Sequence, residues 1–96
     1  MKKADRDRLE KIAQTPCIVC LLYLSAETPA EVHHLVEAGR RKGHQFTIPL
    51  CHIHHRAGVI WTLAVSRHPY KAEFERRYGT EAFLLEETNK LIKVYA

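Results

Sequence analysis

Two pairs of potential metal ligands share one short spacing: Cys17-x-x-Cys20 and Cys51-x-x-His54. A CxxC knuckle turns two sulfurs towards one point, and a second pair completes a tetrahedron of the kind zinc prefers. The pairs lie 30 residues apart and use all three cysteines, so none is spare. Buried cysteines also occur as small hydrophobes. Two matched pairs beside a histidine cluster nevertheless favour a structural zinc on Cys17, Cys20, Cys51 and His54. In so short a chain the zinc would supply much of the folding free energy, and chelation is expected to unfold it.

Most of the seven histidines fall between His33 and His55. With His54 in the tetrad, His33, His34 and His55 form a second set. Adjacent strand residues point to opposite faces, so His33 and His34 cannot do the same job. One can bind a catalytic metal with His55 while the other holds a water. Phosphodiester hydrolysis needs that combination: a cation on the phosphate and a neutral imidazole to take a proton near pH 7. His52 and His68 read as satisfied or solvent-facing histidines. His44 is open between loop surface and a further metal ligand.

These side chains need elements to carry them. Residues 3 to 14 read as a helix with Leu9, Ile12 and Ala13 on one face, ended by Pro16. Cys17 to Cys20 forms the knuckle, and Leu21 to Leu24 follow it towards the core. Ser25 to Ala30 is a loop. Glu31 to Val36 reads as a first strand, with Val32 and His34 on one face and His33 and Leu35 on the other. Glu37 to His44 is a basic loop with two glycines, and Phe46 to Leu50 is a second strand. A helix starts at His52 and stops near Gly58.

Val59 to Ser66 is apolar and open between strand, helix and a loop packed under Trp61. Pro69 opens a helix that closes at Gly79. Thr80 caps a last helix reaching about Val94, with Phe83, Leu84 and Leu91 inward. The expected class is α+β in one domain over residues 1–96: a helix at about 3–14, a core motif at about 17–58 and helices at about 69–94.

Apolar residues are 46% of the chain, which excludes wholesale disorder. Lys and Arg number 15 against 11 acidic residues, a balance that favours a polyanionic partner without proving one. Arg40, Arg41 and Lys42 lie in the loop between the strands, and Arg56 adjoins His55. All four are candidates for phosphate contact, weighed evenly against an ordinary solvated loop. Arg6, Arg8, Arg76 and Arg77 read as solvated helix faces. Free thiols and a charged start imply a reducing, cytoplasmic compartment. No apolar stretch is long enough for a membrane span.

The residues in hand resemble the HNH (ββα-metal, or His-Me finger) endonucleases. That pattern is CxxC, a His-His or Asp-His pair, then a strand ending in Pro-Leu-Cys-x-x-(Cys/His)-His. Here it reads Cys17-Ile-Val-Cys20, Val32-His33-His34-Leu35 and Ile48-Pro49-Leu50-Cys51-His52-Ile53-His54-His55-Arg56. More narrowly, HHL…GRRKGH…TIPLCHIHHRAG followed by FERRYGTEAFLL looks like the phage recombination-enhancement (Ref-type) nucleases, which act on DNA with RecA filaments. The resemblance implies a small ββα-metal domain flanked by helices, in a bacterial or phage-infected host.

Carried across by position, it makes His34 the general base and His33 and His55 the ligands of a catalytic magnesium, manganese or zinc. The products would be 5′-phosphate and 3′-hydroxyl ends. One departure stands out. Many HNH enzymes place Asn five positions before the knuckle cysteine, and here that position is Phe46. A backbone carbonyl or His44 would have to substitute. The rival reading is a non-catalytic zinc module that binds DNA or protein, in which His34 would have no task.

Overall fold

The computed structural model describes residues 1–95; Ala96, the last residue of the expected domain, lies outside them. Helix α1 (Lys3–Gln14) carries strong helix formers, with Arg8 and Ile12 one turn apart on its buried face. It ends at Thr15, held extended before Pro16. Arg8 is buried, contrary to the solvated role expected of it. Its guanidinium donates to Thr47 Oγ1 at 3.2 Å, Thr47 O at 2.6 Å and Asn89 Oδ1 at 2.6 Å. These bonds compensate the charge for burial and tie three elements together.

The segment after Pro16 is a helix, α2 (Ile18–Leu24), not an isolated knuckle. Ile18, Val19 and Cys20 face the core, whereas Leu22, Tyr23 and Leu24 are exposed, so the expected burial of Leu21 to Leu24 fails. A short helix can bury only one face, and this one turns its cysteine end inward. Ser25 adopts φ 51° and closes the helix, with Ala26 N–H reaching back to Cys20 O at 3.1 Å.

Strands β1 (Glu31–His34) and β4 (Thr47–Leu50) pair antiparallel, with His33 opposite Ile48 and His34 opposite Thr47. All of β4 is buried, and α1, α2 and the last helix contact it. Pro49 is tolerated because a two-stranded sheet leaves each strand an open edge. The expected basic loop is a hairpin, β2 (Val36–Glu37) with β3 (Arg40–Arg41). Ala38 at φ 52° and Gly39 at φ 76° form its two-residue turn, which demands positive φ at both positions.

Helix α3 (His52–His55) follows β4 directly and touches both β1 and β4. Residues 59–66 form an irregular excursion closed by an Ile60–Val65 bridge. Its base is pinned by Ser66 N–H to Val59 O and Arg67 N–H to His54 O, each 2.8 Å. Of the three readings open for these residues the structure shows a loop, and Trp61 within it is 55% exposed.

Helix α4 (Lys71–Tyr78) starts two residues after Pro69 and ends at Gly79, φ 104°. Helix α5 (Glu81–Tyr95) is capped by Thr80 Oγ1, which accepts from Phe83 N–H at 3.1 Å. Leu84 is buried and Leu91 packs on the core, but Phe83 stays exposed over Gly79. The result is a small α+β domain with a Cα radius of gyration of 12.6 Å.

Candidate functional site

Cys17 precedes α2 and Cys20 lies in its first turn, while Cys51 is the N-cap of α3 and His54 its third residue. The second pair sits at the β4–α3 junction, and the packing of α2 on β4 sets the first pair beside it. The four ligand atoms are buried and within 4.8 Å of one another. His54 Nδ1 lies 3.2, 3.6 and 3.9 Å from the sulfurs of Cys51, Cys20 and Cys17, and Cys20 and Cys51 sulfurs are 3.9 Å apart. Tetrahedral zinc with its usual bond lengths puts sulfurs about 3.8 Å apart and sulfur to nitrogen about 3.6 Å. Sulfurs at 3.9 Å are also far outside disulfide length.

Their interaction pushes the Cys51 thiol down and the Cys17 thiol up, so the pair resists losing both protons. A dication removes that resistance, and the donor set fits zinc.

A second group converges on the other side of α3. His33, His55 and His68 each bring a ring nitrogen within 4.8 Å of the others. His33 Nδ1 and His55 Nε2 are 3.2 Å apart. Two nitrogens bound to one divalent ion at about 2.1 Å would be about 3.0 Å apart at a right angle and about 3.4 Å apart at a tetrahedral one. The outer nitrogens are occupied: His33 Nε2 meets Glu81 Oε2 at 2.6 Å, and His55 Nδ1 meets Glu31 Oε1 at 2.8 Å. Arg67 Nε joins the same Glu81 oxygen at 2.8 Å. Arg56 grips both Glu31 oxygens at 2.9 and 2.8 Å.

Burial pushes the pKa of His33, His55 and His68 below the usual imidazole value, leaving the neutral form that binds metals. The hydrogen bond from Arg56, then that from His55, lowers the Glu31 carboxyl to about 2. Burial works against ionised Glu81, but His33 and Arg67 outweigh it and its carboxyl also falls to about 2.

His34 sits beside His33 on β1 and lines the same cleft, about 230 Å³, with His55, His68, Val32 and Arg41. The space holds a phosphate group and a few waters. His34 Nε2 lies 3.0 Å from His44 Nδ1, and Nδ1 of His34 has no hydrogen-bond partner among the described residues. Burial, then Arg41 and His44, push the His34 pKa below its usual value.

The basic candidates divide. Arg40 and Arg41 are exposed on β3, and Lys42 follows with Nζ 4.7 Å over the Phe46 ring. Arg56 is committed to Glu31, so its guanidinium is a partner of the His55 support. Sequence reasoning misses three members of the cluster. His68 reads as a satisfied or solvent-facing histidine; its backbone N–H on His55 O at 2.8 Å brings it in. Glu31 and Glu81 carry no motif, and Glu81 is 48 residues from His33.

No helix among the described residues is long and apolar enough to cross a membrane. No curated protein sequence matches the chain. Residues 2–93 match the family described as recombination enhancement, RecA-dependent nuclease. With nearly the whole sequence covered, the chain belongs to the RecA-dependent nucleases of recombination enhancement.

Proposed function

We propose that the chain is an HNH-type, metal-dependent DNA endonuclease, its residues 1–96 one domain whose core motif at 17–58 is of the ββα-metal type. The observation that carries this reading is the cleft in which two neutral imidazoles, His33 and His55, meet at 3.2 Å beside a third with a free nitrogen, His34.

In this reading Cys17, Cys20, Cys51 and His54 would hold a structural zinc that fixes the start of α3 against the start of α2. His33 and His55, joined by His68, hold the catalytic ion. That ion, when bound, neutralises charge on the phosphate and on the leaving oxygen. His34 Nδ1 takes the proton of a water as its oxygen bonds to phosphorus; the P–O3′ bond breaks, O3′ leaves with the bonding pair and takes a proton from a solvent water, and the ends are 5′-phosphate and 3′-hydroxyl. His44 holds Nε2 of His34, the support that Phe46 cannot give in place of Asn.

Imidazole donors suit zinc better than magnesium or manganese. Arg40, Arg41 and Lys42 supply phosphate contacts beside the cleft, and Arg56 contributes there only if it leaves Glu31. The substrate is DNA engaged with a RecA-type filament, in the cytoplasm of a bacterial or phage-infected cell. The test is a nicking assay on single-stranded, duplex and filament-bound DNA with each divalent ion. Metal-dependent nicks that increase on filament-bound DNA are expected. Equal cleavage in excess chelator would overturn the proposal.

A further inference from the structure

We infer that Glu81 is the positioning residue of His33, forcing its imidazole to present Nδ1 to the cleft, and that Glu31 forces His55 to present Nε2. This rests on the proposed metal role of those two histidines.

An ionised carboxylate can only accept hydrogen bonds, so the ring nitrogen facing it must carry the proton. Glu81 Oε2 faces His33 Nε2 at 2.6 Å, and Glu31 Oε1 faces His55 Nδ1 at 2.8 Å. Each ring is thereby locked with its other nitrogen as a lone pair. Those lone pairs, Nδ1 of one ring and Nε2 of the other, point into 3.2 Å of shared space. Two facing acceptors repel unless a cation lies between them, so the carboxylates prepare a cation site and not merely a fold.

Glu81 is built for that task. It is 6% exposed, stands in the first turn of α5 where the helix end favours negative charge, and takes Arg67 Nε on the oxygen that also meets His33. One buried carboxylate thus joins α5 both to Arg67 and to the His33 imidazole on β1. Carboxylates behind metal-binding histidines typically contribute about 10–100-fold to metal affinity.

The test uses the zinc-loaded, full-length protein and its E81Q, E31Q and H33A variants. Long-range proton–nitrogen spectra of the wild type without added manganese should show His33 protonated at Nε2 and His55 at Nδ1. Glu81→Gln keeps the shape and one acceptor but can rotate its amide, so His33 should become a mixture of tautomers. Manganese titration should show about 10–100-fold weaker binding in E81Q and E31Q, with one zinc per chain retained. Excess manganese should then restore cleavage by both.

Wild-type manganese affinity in E81Q with an unchanged His33 tautomer, alongside abolished binding in H33A, would overturn the positioning role and leave the metal reading standing. Unchanged manganese binding in H33A would overturn both.

Discussion

Removing zinc from the Cys17, Cys20, Cys51 and His54 cluster should unfold the protein. The four side chains are at most 5% exposed and join the starts of α2 and α3. Cys17, Cys20 and Cys51 also belong to the buried cluster with Ile18, Val19 and Leu50. Structural zinc in small domains is worth about 10–16 kcal/mol at neutral pH, whereas a whole domain is stable by only about 5–15 kcal/mol. Zinc removal therefore costs as much as the total stability or more.

Once free zinc exceeds the dissociation constant of the folded site the effect is graded: each tenfold rise adds about 1.4 kcal/mol. In a domain of this size that raises the melting temperature by about 6–11 °C. Calorimetry and far-ultraviolet circular dichroism across buffered zinc, with metal content measured in parallel, test the slope. His54→Cys should keep it, because a four-cysteine site still suits zinc; His54→Ala should lose it. A cooperative melt at an unchanged temperature in zinc-free protein would refute the reasoning.

In the proposed role His34 would serve as a base only when neutral, and its pKa lies below the usual value, so cleavage should rise with pH through a midpoint below about 6.5 and then level off. Arg41→Gln removes a positive neighbour and should move that midpoint upward in a pH–rate profile; an unmoved midpoint counts against the assignment. Replacing Arg40, Arg41 and Lys42 with Gln should weaken DNA binding about evenly across sequences. It should also flatten the salt dependence by about one unit for each phosphate that the variant no longer touches. Gly79→Ala puts a Cβ 2.6 Å from the Phe83 ring at φ +104°, so it should cost more than about 1 kcal/mol in denaturant titrations. Phe74→Ala empties a fully buried site and should cost about 3–5 kcal/mol by the same titrations.

What is legible in the sequence follows the range of the interactions. The tetrad is legible because both of its pairs are local spacings, and the helix and strand bounds near His33 and His54 follow from proline, glycine and alternation. Glu81 is not, because it reaches His33 from a helix 48 residues later and no local pattern marks such an approach. His68 escapes notice because a backbone bond to His55, not a motif, carries it to the cleft. Arg8 reads wrongly as a surface residue because its partners, Thr47 and Asn89, are neutral and remote in sequence. Residues 59–66 stay open in the sequence because hydrophobicity alone does not say whether a short apolar stretch is strand, helix or loop.

Single-turnover cleavage by His34→Ala, with zinc content and DNA affinity measured on the same sample, bears most directly on the nuclease chemistry assigned to the cleft. A positioned base typically contributes about 10²–10⁴-fold, so a drop of that size is expected with zinc and affinity unchanged. Cleavage within a few-fold of the parent protein would show that this imidazole does not activate the water.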